Sequence, residues 1–276
     1  MIENYLTVLM DSLADHVIHN AVRSDPLLFR LNSKDSLLFA KGGSKISRVL
    51  QSEECGDHLS VDYLIGQTKL NLPNISHLPD LSTGDAFYDF LFAYATDAMA
   101  LISETMRSAL YKEGARGNPD IYGIPDLISL TPNNGFLFGL DRSKHDLLQN
   151  KVVKNGMARR SLPASKTDIL IVDHKEFHRL GESLSERQCV AKLDMISAGF
   201  NSFILHGREV VTPAADVSFP VGRQYYLSTD ATNIALDRTA LKQLRFSKQM
   251  ENQRIPFIEF GMQVILDRFD STTVAV

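Results

Sequence analysis

The feature that most constrains this chain is one unbroken helical pattern running from Ser82 to Gly114. Phe87, Leu91, Ala95, Ala98, Ile102, Met106 and Ala109 step by three or four residues, and Phe92 and Met99 widen the stripe. That is the period of a helix face and not of a strand. Ser82 and Thr83 are placed to accept from the first free N–H groups, Asp85 falls in the first turn and Lys112 in the last, where the helix dipole favours each sign. Gly114 offers the left-handed conformation that ends many helices. At 1.5 Å per residue the rod is about 40 Å long, enough to join two packing units. The same pattern also describes a core helix of an ordinary α/β enzyme, and both readings stay open at this point.

The rest of the chain must fit around that rod. With 276 residues there is enough material for two compact units. A 44% apolar and 22% charged composition is that of a folded chain rather than a disordered one. The net charge is −4 with no block of like charges, so there is no basic stripe to grip a phosphate backbone. Nucleic acid, if a partner, is a loosely held neighbour. Two cysteines, Cys55 and Cys189, are too few for a disulfide framework. The first 26 residues lack the basic and then continuously apolar regions of a secretory signal. No run of about 18 apolar residues exists, so no membrane partner is expected.

Taken in order, Tyr5, Val8, Leu9, Leu13, Val17, Ile18 and Val22 give a first helix, stopped at Asp25-Pro26. It reads equally as a projecting arm or as a helix docked on its own core. Gly42-Gly43 suggests a phosphate loop, but Ser44 precedes Lys45 and Ile46 follows it, so the pattern fails. Residues 45–50, and then Leu59, Val61, Tyr63 and Ile65 alternating with polar neighbours, read as the two strands of a hairpin. Its tip, Ser52 to Asp57, is polar. After the long helix, a short helix at Asp126–Leu130 and a polar helix and loop over 141–160 are expected. From Thr167 the pattern becomes α/β: a buried strand to Val172, a helix capped by Asp173, and a helix over 185–196. Strands are expected at 202–205, 209–211, 224–227, 234–236, 257–260 and 262–266.

Catalytic patterns are absent. His174 and His178 share a helix face, as a metal pair would, but Lys175 stands where a metalloprotease has its glutamate, and no third ligand is marked. No nucleophile elbow or dinucleotide fingerprint occurs. No catalytic, cofactor-binding or metal residue is therefore assigned.

One stretch is recognisable. DIYGIPDLISLTPNNGFLFGLDRSKHDLLQN, residues 120–150, resembles the axial-domain opening of tailed-bacteriophage major capsid proteins at Gly123, Ile124, Leu127, Ile128, Pro132, Gly135, Gly139, Leu140, Asp141, Arg142 and Asn150. Leu147 and Leu148 stand where relatives carry tryptophans. TDILIVDHKEFHRL and AGFNSFILHGREVVTPAADVSFPVGRQYYLSTDATNIAL are similar to later parts of the same pattern. The resemblance implies an α+β fold of the Hong Kong ninety-seven type. Its parts would be an N-terminal arm (1–35), an extended β-hairpin loop (36–72), a peripheral domain (73–118 and 229–276) with a spine helix at 83–113, and an axial α/β domain (119–228). It implies a non-enzymatic coat protein of the virion, assembled in the host bacterial cytoplasm into hexamers and pentamers of an icosahedral head. The implied partners are other copies of itself, a portal, a scaffolding or decoration protein, and packaged double-stranded DNA. Arm and hairpin would be completed by neighbouring copies, with intersubunit contacts expected at Lys45, Arg48, Glu53, Glu54, Asp57, Asp62 and Tyr63. The competing expectations are an α/β hydrolase or metal-dependent enzyme using His174 and His178, and a tail or neck component.

Overall fold

The long helix α3 spans Gly84–Tyr111, and its 28 residues make a rod of about 42 Å. The computed structural model describes residues 2–51, 58–72, 84–112, 121–130, 167–182, 184, 193–205, 207–241, 245–248, 254–267 and 272–275. Tyr94, Ala98, Ile102, Met106, Ala109, Leu110 and Tyr111 form the buried face of α3. Phe92, expected to widen that face, instead points outward and is 76% exposed. Phe92 precedes the buried Tyr94 by two residues, a turn of about 200° that sets it on the opposite side of the helix. Lys112 lies just beyond the last helical residue, and the expected caps at Ser82, Thr83 and Gly114 lie outside the described residues.

α1 (Ile2–Val22) packs on α3, burying Ala14, Val17, Ile18, Ala21 and Val22. Asn20 adds an Nδ2 donor to the Met99 sulfur at 3.3 Å. Pro26 ends α1 but begins a second helix, α2 (Pro26–Asn32), at the one position where its missing N–H costs nothing. Leu27, Leu28 and Leu31 of α2 are completely buried. At about 1.5–3 kcal/mol per buried aliphatic side chain, this docking is a major share of the core. From Ala14 to Leu31 the segment packs on its own chain, as the docked-helix alternative has it.

Two five-stranded sheets flank these helices. In the first, β1 (Leu37–Phe39) lies parallel to β9 (Thr232–Leu236), and β9 pairs antiparallel with β11 (Arg254–Leu266). β4 (Gly66–Asn71) and β10 (Arg245–Lys248) also pair antiparallel with β11. β11 is one 13-residue strand where two were expected, at 257–260 and 262–266. Gly261 is not a break: a Cβ there would lie 2.9 Å from the Cβ of Asp237, so glycine permits a close approach of backbones.

The second sheet has the order β12 (Thr272–Ala275), β8 (Gln224–Leu227), β5 (Ile169–Val172), β7 (Arg208–Val211), β6 (Ser202–Leu205). β5 is buried on both faces, which explains its unbroken Ile-Leu-Ile-Val run. Ile169 and Ile171 join the main core; Leu170 and Val172 pack with Leu180 and Phe177 of α5 (His174–Glu182) in a smaller one. Asp173 caps α5 as expected, its Oδ1 accepting from Glu176 N at 2.8 Å. The short helices α4 (Ile124–Leu130), α6 (Leu193–Ser197) and α7 (Arg238–Leu241) complete the fold. Of the helix expected over 185–196, residues 185–192 lie outside the described residues, as do 131–166, the tip 52–57 and both cysteines.

Candidate functional site

The hairpin joins β2 (Lys45–Gln51) to β3 (His58–Leu64) in register from Lys45 opposite Leu64 to Gln51 opposite His58. Seven residues per strand make a ribbon of about 20 Å. Two strands alone are marginal in water, so the ribbon depends on its anchorage. At its base, Gly43 N donates to Ile65 O (3.1 Å), Ile65 N to Ser44 O (3.0 Å), and Gly42 N to Asp237 Oδ2 (2.6 Å). Gly43 has φ +73°, and a Cβ on Gly42 would lie 2.6 Å from Asp237 Oδ2 and against Gln67 Nε2. The Gly-Gly pair rejected as a phosphate loop is the hairpin's root.

Two hairpin side chains reach the end of β11. Tyr63 is only 5% exposed; its hydroxyl donates to Leu266 O (3.1 Å) and accepts from Leu266 N (3.3 Å). Burial raises its pKa, with the Leu266 bond opposing. Arg48 Nε lies 2.8 Å from Asp267 Oδ1, while Asn233 Nδ2 donates to Asp267 Oδ2 at 2.5 Å. The other face of the ribbon is open. Lys45 and Asp62 are exposed and 3.7 Å apart, Ser47 Oγ donates to Asp62 at 2.7 Å, and Val49 is 58% exposed. Of the seven residues expected to meet neighbours, Lys45 and Asp62 therefore lie on the exposed ribbon. Tyr63, near the root, and Arg48, halfway along β2, face the chain's own body from the other side of the ribbon, and Glu53, Glu54 and Asp57 lie outside the described residues.

The N-terminal segment is held by buried polar groups that periodicity did not mark. Asp25, fully buried, accepts at Oδ1 from Leu27 N (2.9 Å) and Leu28 N (3.2 Å), and takes the Tyr111 hydroxyl of α3 at 3.1 Å. Burial pushes its pKa up to about 6, although all three hydrogen bonds favour the carboxylate. Tyr111 is pushed well above its usual value by burial and by the Asp25 charge. Arg30 of α2 reaches Glu209 of β7 at 2.6 Å and Asp194 of α6 at 2.7 Å, tying the helices to the second sheet. Lys34 bridges Asp168 and Asp230 at 2.8 and 2.7 Å, and burial of Asp168 is outweighed by hydrogen bonds from Lys34 and Thr229, so its pKa falls. A proline after Asp25 signalled a helix boundary, but no local pattern signalled Tyr111, Glu209 or Asp267 as partners.

His174 and His178 sit in α5, His178 edge-on to Phe177. No group of three metal-capable side chains occurs among the described residues. No helix among them is long and apolar enough to cross a membrane. The exposed large apolar side chains are distributed over the hairpin region (Phe39, Val49), the start of α3 (Tyr88, Phe92) and the second-sheet end (Leu193, Ile196, Val221).

No family model matches this chain, and no curated protein matches it. Solved structures do. A chain of the procapsid of satellite phage P4, a particle that includes the size determination (Sid) protein, is 11% identical, with 97% of each chain covered and a TM-score of 0.55. A chain of the capsid of cyanophage A-1(L) is 14% identical, covering 87% of this chain and 89% of that one, with a TM-score of 0.50. The α+β fold of this chain is the Hong Kong ninety-seven-type fold of phage capsid proteins.

Proposed function

We propose that this chain is a major capsid protein of a tailed double-stranded DNA bacteriophage, a structural protein that assembles with copies of itself into the hexamers and pentamers of an icosahedral head. One observation carries the reading beyond fold: a ribbon of about 20 Å is tied to its own chain at the root and presents Lys45, Val49 and Asp62 to solvent. A two-stranded ribbon needs a surface to lie on, and an adjacent copy supplies one in a closed shell. The division into an arm (1–35), a hairpin loop (36–72), a peripheral domain (73–118 and 229–276) and an axial domain (119–228) belongs to this proposal. So does contact between copies through Lys45, Asp62 and the tip residues Glu53, Glu54 and Asp57, with Arg48 and Tyr63 fixing the ribbon on its own chain. The chain would reside in the virion after assembly in the bacterial cytoplasm. A portal and a scaffolding or decoration protein would be its partners. A net charge of −4 suits a wall that leaves packaged DNA loosely held.

The experiment is size-exclusion chromatography of the purified chain followed by negative-stain microscopy. Rings or closed shells support the proposal. A compact monomer at every concentration and ionic strength tried, with or without co-expressed scaffold, overturns it.

A further inference from the structure

We infer that the hairpin's tilt is set by the crossover between the two sheets, with Asp267 as the joint and Arg48 and Tyr63 as positioning residues. The consequence for assembly rests on the coat-protein reading. Arg48 of β2 and Tyr63 of β3 converge on two consecutive residues, Leu266 and Asp267. Leu266 ends β11 in the first sheet, and the next described strand, β12, lies in the second. The reverse crossing is beside it. β8 of the second sheet leads through a 3-10 turn at Thr229–Ala231 into β9 of the first, and Asp267 N donates to Ala231 O at 2.9 Å. Asn233 of β9 donates to the same carboxylate that holds Arg48. Asp267 therefore touches the hairpin, the outgoing crossing and the returning one.

The geometry makes this joint a lever. Arg48 is the fourth of the seven residues of β2, so it holds the ribbon about 10 Å from its root, and a rotation of 10° about the root would move that point by about 2 Å. The Gly42–Asp237 bond pins the chain where it enters the hairpin, so the Arg48–Asp267 pair resists rotation about that pin. A shift of one sheet against the other displaces Leu266 and Asp267 and carries the ribbon with them. In a shell, hairpins at different tilts reach different neighbours, and curvature follows.

The test uses the full chain with four changes: Arg48→Asp, Asp267→Arg, the two combined, and Tyr63→Phe. Asp267→Asn, which leaves Asn233 an acceptor, serves if Asp267→Arg does not fold. Backbone hydrogen exchange over 45–51 and 58–64 is read on unassembled protein, and particle diameter by negative stain. Each single change should lower hairpin protection about tenfold and broaden or shift the diameter, and the combined swap should restore both. Wild-type protection and a single diameter in the single variants would overturn the inference, as would a swap that rescues neither. If the wild-type chain never assembles, the coat reading fails by itself, and the exchange data alone then decide whether the joint holds the hairpin.

Discussion

The N-terminal helices and the β2–β3 hairpin make an instructive pair, because both are exposed-looking segments that the chain sends away from its centre. The helices close on their own molecule. Val17, Ile18, Val22, Leu27, Leu28 and Leu31 are buried, and Asp25 and Arg30 lock onto α3 and the second sheet. The hairpin closes on only one face, through Tyr63 and Arg48, and leaves Val49 and the Lys45–Asp62 pair of the other in solvent. The difference lies in geometry. A helix with an apolar face needs one partner helix, and α3 is long enough to provide it. A two-stranded ribbon has two faces, and at Lys45, Val49 and Asp62 one of them is left to solvent.

Substitutions should separate the two regions, and the largest effect belongs to the helices. Arg30→Ala leaves Glu209 buried without its cation and should cost about 3–5 kcal/mol of stability, measured by urea unfolding. A cost under 1 kcal/mol would mean that the helices are not locked to the second sheet. Leu28→Ala comes next, at about 2–4 kcal/mol by the same measurement, because it empties a fully buried site.

Asp25 gives a pH signature confined to the docked region. Its folded pKa, about 6, stands above the ordinary 3.8, so the folded chain holds this proton more tightly than the unfolded one. The associated stabilisation is complete below about pH 4 and is lost as pH rises through 6. Relative to wild type, Asp25→Asn should therefore gain up to about 3 kcal/mol between pH 4 and pH 7.5. A difference that is flat across that range would show that the carboxyl is not desolvated as the fold implies.

The smallest stability effect is expected in the hairpin. Val49→Asp should change unfolding free energy by less than about 0.5 kcal/mol, since the side chain is mostly in solvent. It should nevertheless abolish or slow particle formation, scored by negative stain. Normal assembly with this change would break the contrast between a finished and an unfinished region.

Much of the architecture was legible because it rests on short-range periodicity. The spacing of Ala98, Ile102, Met106 and Ala109 announced α3, alternation announced β3, and the Ile169–Val172 run announced a strand buried on both faces. Elements of low apolar contrast escaped. β1 is three residues long, β4 alternates weakly as Gly-Gln-Thr-Lys-Leu-Asn, and β12 is only Thr-Thr-Val-Ala. Each is a strand because β9, β11 or β8 offers it an edge. Pro26 was read only as a stop, though a proline also opens a helix. Phe92 shows the opposite error: an apolar residue at helical spacing that faces water.

The amino-acid order alone determined where helices and strands could form, that the hairpin turns at a polar tip, and that no catalytic constellation is encoded in local motifs. Those properties depend on neighbours a few residues apart, which a linear reading sees. Tertiary structure decided that Asp25 meets Tyr111, 86 positions away, that Tyr63 meets Leu266 across 203, and that Arg30 meets Glu209 across 179. Such pairings are chosen by which surfaces the packed elements bring within hydrogen-bond reach, and partners this distant leave no periodic trace in the chain.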